Sequence, residues 1–445
     1  MPTKPKFDYT FPYPSKRTPI LASNCVATSH PLAAQAGLDM LRRGGNAIDA
    51  AVATAVALTV LEPTSNGIGA DAFALVWAGG GLHGLNASGK SPAAFDPARF
   101  AGLSSIPTIG WGGVTTPGAV SAWVELSERF GSLPFETLFE PAIHYAREGF
   151  LVPPHIAYYW NRGAETYTAP EQAAWRDTFI PTGAAPRAGQ RATMPDHADT
   201  LEAIAGSKGD AFYKGEFATK IEAAAIAQDG FLRAADLAAH EPEWVRPIVM
   251  DYHGWRLNEI PPNGQGLAAL IALGILRHFD LASLDADAPA SLHLQIEAMK
   301  IAFADAHRYI ADPLFMTVST QSLLADDFLA ARAALIDPNR AQDFKHGAPK
   351  PGGTIYLATA DADGNMVSYI QSNYTGFGSG IVIPGTGIAL QNRGCCFTLQ
   401  DGHPNQAAPG KRPYHTIIPG FVTREENGVE SPVMSFGVMG GFMQP

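Results

Sequence analysis

Long apolar runs are missing from this sequence, cysteine is scarce and charge is thin. No segment reaches the about 20 apolar residues that a membrane-spanning helix needs, so no membrane association is expected. The amino terminus, Met1-Pro2-Thr3-Lys4-Pro5-Lys6-Phe7-Asp8-Tyr9-Thr10, lacks the apolar stretch of a signal peptide, and the cytoplasm is the expected compartment. Three cysteines fit that compartment: Cys395 and Cys396 are adjacent, a geometry poorly suited to a bridge, and Cys25 stands alone. Lys and Arg form no run, and a net charge of −11 argues against a nucleic-acid partner. Neither a zinc-ligand spacing nor a His-Glu-x-x-His pattern occurs, so no metal and no cofactor are expected. What is present suffices for a large core: 445 residues, 46% hydrophobic and only 16% charged, describe a globular chain too long for one small domain.

Along the chain, helical and strand patterns alternate without repeats. Ser29 reads as an N-cap with Pro31 just inside, and that helix should stop at Gly44-Gly45. Asn46 or Asp49 then opens a second apolar helix toward Leu61. Residues 73–77 and 82–85 around Gly79-Gly80-Gly81 read as a hairpin, and the triple glycine lacks the strand-to-helix setting of a phosphate loop. Leu292, Ile296, Met299, Phe303 and Ile310 fall on one helical face, which predicts a core stripe. Asp305, Arg308 and Asp312 beside them read as ion-pairing or capping residues. The Pro/Gly-rich stretch from Gly347 to Gly353 predicts an exposed tail.

That tail leads into Gly352-Gly353-Thr354, the start of a strand that turns at Asp361-Ala362-Asp363-Gly364-Asn365 and returns through Met366 to Ser372. Pleating with period two allows Ser372 to come back beside Thr354. Taken alone, the junction is that of an ordinary hairpin, since threonine is common at strand positions. The alternative is chemical. The two glycines permit backbone strain that a Cβ forbids, so the Thr354 hydroxyl can attack the Gly353 carbonyl and cut the chain. The freed α-amine, with a reference pKa of about 7.7–8.0, then serves as general base for the neighbouring hydroxyl.

Further segments favour the chemical alternative. They include Ala27-Thr28-Ser29-His30-Pro31-Leu32-Ala33, Leu41-Arg42-Arg43-Gly44-Gly45-Asn46-Ala47-Ile48-Asp49-Ala50-Ala51, Gly67-Ile68-Gly69-Ala70-Asp71-Ala72-Phe73, Thr116-Pro117-Gly118-Ala119-Val120, Pro261-Pro262-Asn263-Gly264-Gln265-Gly266, Gly376-Phe377-Gly378-Ser379-Gly380 and Gly440-Gly441. In this order they resemble the gamma-glutamyltranspeptidase family of N-terminal-nucleophile hydrolases, from about Ala22 to the last residue. The resemblance implies an α+β fold, a four-layer αββα sandwich. It is built from a large fragment, residues 1–353, interleaved with a small one, residues 354–445, and a homodimer stays open. Members run on for several elements after the paired glycines, so a carboxy-terminally incomplete chain is expected at Pro445.

The resemblance also implies site roles. Thr354 takes the nucleophile's place and Ser372 that of its hydroxyl partner. Gly440 and Gly441 match the backbone donors of an oxyanion hole, with a tight turn as the alternative. Substrate-binding positions fall on Ser88, Tyr374, Arg393, His415 and Thr416. Here the chain departs from the transpeptidases, which carry an arginine at Ser88 for the glutamyl carboxylate and an acid in the stretch that reads Cys395-Cys396-Phe397 for its ammonium. Lys90 and Arg393 are close enough in sequence to supply a carboxylate partner, although each reads first as a surface cation. His415 and Thr416 stand in place of a serine pair, and a histidine there is expected to change charge near neutrality unless it is simply packed. Tyr374 replaces an asparagine. These departures resemble the branch with oxamate amidohydrolase and acylases. The expected function is a self-processing amidohydrolase acting on small amides, with true γ-glutamyl transfer or a catalytically silent binding protein as alternatives.

Overall fold

The computed structural model describes residues 19–344 and 353–445. The amino-terminal decapeptide and the expected tail up to Gly352 lie outside the described residues. Helices and strands alternate, and two antiparallel sheets carry the structure. The first holds β1 (Cys25–Thr28), β2 (Asp71–Ala78), β3 (Gly81–Asn86), β4 (Glu243–Val245), β7 (Gly353–Ala360) and β8 (Met366–Tyr374). Their spatial order is β1, β7, β8, β2, β3, β4. The second sheet runs β10 (Val429–Phe436), β9 (Gly420–Glu426), β6 (Trp255–Glu259), β5 (Ile248–Tyr252). β4 and β5 are separated by two residues only, so the chain crosses from one sheet to the other there.

Each face of the first sheet is covered. On one, Ala74, Val76, Ile355, Leu357, Val367 and Tyr369 pack with the helices α1 (Pro31–Arg42), α2 (Ala47–Leu61) and α3 (Ala119–Phe130). On the other, Phe73, Leu75, Trp77 and Ile370 meet Ile260, Ile417 and Phe421 from the neighbourhood of the second sheet. Beyond the second sheet, Met250 joins α4 (Gly266–Leu276) and α5 (Pro289–Tyr309) in another cluster. Burial on both faces explains why β2 reads as a nearly unbroken apolar run with no alternation.

The apolar sequence of α2 is buried on every side. Its start is fixed locally. The Asn46 side chain accepts from the amides of Ile48 and Asp49, and Asp49 accepts in return from the Asn46 amide at 2.9 Å. Such a box contributes about 1 kcal/mol. The hairpin of β2 and β3 forms as read, closed by Gly79 and Gly80, both at positive φ.

Two expectations are corrected. The N-cap of α1 is His30, whose Nδ1 accepts from the Leu32 amide at 3.2 Å, because Pro31 occupies the first helical position. Ser29 instead donates its hydroxyl to Glu62 at 2.6 Å. On α5, Leu292 and Ile296 are 46% and 58% exposed. The buried stripe is Leu294, Ala298, Ile301 and Ala302, whose small members allow close packing that large side chains would prevent. Asp305 and Asp312 do pair and cap, with Arg332 and with the Leu314 amide.

Glu62, at the end of α2, is buried, and that burial raises its pKa from 4.5 to about 7 against the opposing bond from Ser29. The folded state therefore holds this proton more tightly than the unfolded chain. Its stabilising contribution is full below pH 4.5 and is lost as the pH rises toward 7. Glu62→Gln removes the titration and should exceed the wild type in stability at pH 8 by about 2 kcal/mol, but not at pH 4. Denaturant midpoints at the two pH values check this; an equal gain at both would show that charge is not the cause.

Candidate active site

β8 lies between β7 and β2, and this placement brings the expected hydroxyl pair together. Gln371 pairs with Ile355 and Tyr374 with Gly353, while on the other side Ser372 faces Asp71. The Thr354 and Ser372 hydroxyls are 3.1 Å apart and both buried. Ser372 Oγ also accepts the Tyr374 amide at 2.8 Å, which fixes one lone pair, and either hydroxyl can donate in its contact with Thr354. A bulge between Gln371 and Tyr374 shifts the register, and Tyr374 sits at φ +76°, a strained conformation for an aromatic residue.

Gly440 and Gly441 open a short turn after β10, with Gly441 at φ +57°. Among the described residues, nothing accepts the amide N–H of either glycine. The turn is tied down by Gln265, whose Nε2 donates to the Gly441 carbonyl at 2.9 Å and to the Thr416 carbonyl at 2.7 Å. Phe442 then stacks on Tyr414 and meets the Tyr374 ring edge-on. The preceding backbone passes so close to Tyr356 that a Cβ at Gly437 would lie 2.4 Å from its ring.

Arg393 corrects the surface reading: it is 0% exposed. Its Nη1 donates to Thr416 Oγ1 at 2.7 Å, its Cζ lies 4.7 Å over the Tyr374 ring, and its Nε is 4.0 Å from Asp71 Oδ2. Lys90, by contrast, is exposed. His415, also fully buried, approaches the same Asp71 oxygen with Nε2 at 3.2 Å, and its Nδ1 faces the Ile417 amide.

The charges differ from expectation as well. Desolvation first, and then the nearby Arg393, hold the His415 pKa well below 6.5, so it stays neutral near pH 7. The group that titrates there is Asp71, raised to about 7 by desolvation against the pull of Arg393 and the Gly89 amide. Asp71 was not singled out from sequence. A signal existed: it is the one carboxylate in an otherwise apolar, wholly buried strand.

Ser88 is buried, but its hydroxyl is engaged by Asn86 Oδ1 at 2.7 Å and by Asn263 Nδ2 at 3.2 Å. Its carbonyl accepts from Arg412, which is ion-paired with Glu243. Thus Thr354, Ser372, Tyr374, Arg393, His415 and Thr416 belong to one connected buried network, and Ser88 to an adjoining one. A cavity of about 290 Å³, lined by Cys396, Tyr414, Phe442 and His307 among others, borders the first.

Comparison with known proteins identifies relatives over almost the whole chain. Oxamate amidohydrolase proenzyme of Klebsiella pneumoniae is 36% identical over 425 residues, covering 94% of this chain and 78% of that one. The glutathione hydrolase-like YwrD proenzyme of Bacillus subtilis is 34% identical over 423 residues, covering 94% and 79%. Among solved structures, cephalosporin acylase from Bacillus halodurans superposes with a TM-score of 0.92 at 52% identity, covering 98% of this chain and 81% of that one. These relatives are named as an amidohydrolase, a hydrolase-like protein and an acylase, and the first two as proenzymes. Residues 33–445 match the gamma-glutamyltranspeptidase family, and the chain belongs to it.

Proposed function

We propose that the chain is a self-processing amidohydrolase whose nucleophile is Thr354, built as a four-layer αββα sandwich from fragments 1–353 and 354–445. The observation that carries this reading is the buried contact of 3.1 Å between the Thr354 and Ser372 hydroxyls at the head of β7, directly after Gly353. In the precursor, Thr354 Oγ attacks the Gly353 carbonyl, the peptide C–N bond breaks, and the nitrogen takes the proton. Water hydrolyses the ester, leaving a Gly353 carboxylate and a free amine on Thr354.

The mature cycle repeats this on a substrate amide. The α-amine accepts the hydroxyl proton as Oγ attacks, the Gly440 and Gly441 amides stabilise the oxyanion, and the leaving amine or ammonia departs with a proton. Water then releases the acyl group from Thr354. In this scheme the α-amine is the base and no other residue is needed for that role.

Glutathione hydrolase-like relatives favour γ-glutamyl chemistry as a second reading. Ser88 and the Cys395-Cys396 pair, where the resemblance places the two charged anchors, weigh against it, because charge-assisted bonds supply most discrimination for a zwitterionic head group.

Denaturing electrophoresis with amino-terminal sequencing tests the processing step: two fragments are expected, the smaller beginning at Thr354. Ammonia release from a panel of small amides should exceed turnover of a γ-glutamyl anilide, with little acceleration by glycylglycine. A fragment beginning elsewhere, or an uncut chain inert toward every amide, would overturn the proposal. Strong acceleration by the dipeptide would transfer the assignment to the second reading.

A further inference from the structure

The Nε and Nη2 atoms of Arg393 are the side-on fork by which a guanidinium grips a carboxylate with two parallel bonds. The protein uses that fork elsewhere. Arg332 holds Asp305 through its Nε, at 2.8 Å to Oδ2, and through its Nη2 to Oδ1. In Arg393 both atoms are buried and neither has a hydrogen-bond partner among the described residues. The Nη1 side is anchored on Thr416 and the flat face on Tyr374. Asp71 stands 4.0 Å from Nε, outside hydrogen-bond reach, while its Oδ2 is engaged by His415 Nε2 at 3.2 Å. In its ionised form it offsets the guanidinium charge without filling the fork. An unfilled buried fork is costly unless something takes it.

The place is right for a substrate. Tyr374, beneath the guanidinium, binds Ser372 Oγ through its amide at 2.8 Å, and Ser372 reaches Thr354 at 3.1 Å. Tyr374 also pairs with Gly353, the residue that processing would separate from the nucleophile. We propose that the Nε/Nη2 fork of Arg393 is the receptor for a carboxylate on the acyl part of the substrate, so that the preferred substrates are monoamides of small dicarboxylic acids. This rests on Thr354 being the nucleophile and deepens that reading: the carboxylate is held by an arginine from the 393 position, not by one at Ser88.

The experiment has a kinetic and a binding arm. The wild type should hydrolyse oxamate, succinamate or glutaramate with kcat/KM about 100-fold above that for the matching neutral methyl ester-amide. Arg393→Met should bring this ratio near one. Arg393→Lys, which keeps charge without the fork, should fall between. Since Met leaves Asp71 without its counter-charge, the pair Asp71→Asn with Arg393→Met serves as a second, charge-balanced variant with the same expected ratio. Calorimetric titration of the purified protein with succinate should show binding that dimethyl succinate lacks and that both Met variants weaken at least tenfold. A wild-type ratio near one, or succinate binding indifferent to Arg393, overturns the proposal. Because titration needs no turnover, an uncut or inactive chain that still binds succinate through Arg393 would instead count against Thr354 alone.

Discussion

Thr354→Ala is expected to yield a single uncut polypeptide on a denaturing gel, with amide hydrolysis reduced about 10⁴-fold or more. The reason is that one oxygen serves twice. It is the atom that attacks Gly353, and after processing it forms the acyl-enzyme bond; alanine has neither capacity, and the uncut chain has no α-amine at that position to act as base. Thr354→Ser keeps the oxygen but loses the methyl that restricts the side-chain torsion, so it should still cut, more slowly. The fold should tolerate the alanine, since the change deletes a small side chain from a strand held on both sides by β1 and β8. Normal processing and turnover in Thr354→Ala would refute the nucleophile assignment outright.

Gly441→Val should lower kcat by about 10²–10³-fold with KM changed much less, the scale of losing an oxyanion donor. The glycine sits at φ +57°, which a β-branched residue occupies only with strain, so the turn must move and carry its amides off target. The same strain costs about 1–2 kcal/mol of stability. Kinetics must therefore be scored per folded molecule. Gly441→Asn separates the two effects, because asparagine tolerates the left-handed conformation: it should recover most of the lost melting temperature and part of the activity. Equal kcat in the valine variant removes Gly441 from the oxyanion site. Lost activity that merely follows lost folding would leave it a turn residue.

The parts of this protein that sequence made legible share one property: their partners are close along the chain. The cap of α2 is set within three residues and the β2–β3 turn within two. Thr354 and Ser372, 18 positions apart, meet because a single hairpin with period-two pleating returns one beside the other. The family motifs extended this to the paired glycines. Where two local readings competed, as on α5 or at the cap of α1, pattern alone did not weigh packing of small residues or the constraint of Pro31.

The charged cluster is of another kind. Asp71 and His415 are 344 positions apart, and Arg393 joins them from a third segment. Each segment by itself allowed a surface reading for Arg393 and a titrating histidine at 415. Only the stacking of β2 beside β8, with the 414–416 stretch tied to Gln265 and the Gly441 turn, excluded water from all three side chains. The ordered motifs thus carried the family and the pairing of the proposed nucleophile with Ser372, because covalent order and strand pleating suffice for them. Which buried group carries charge was decided by tertiary structure alone, because the cost of ionisation depends on the solvent removed by segments distant in sequence.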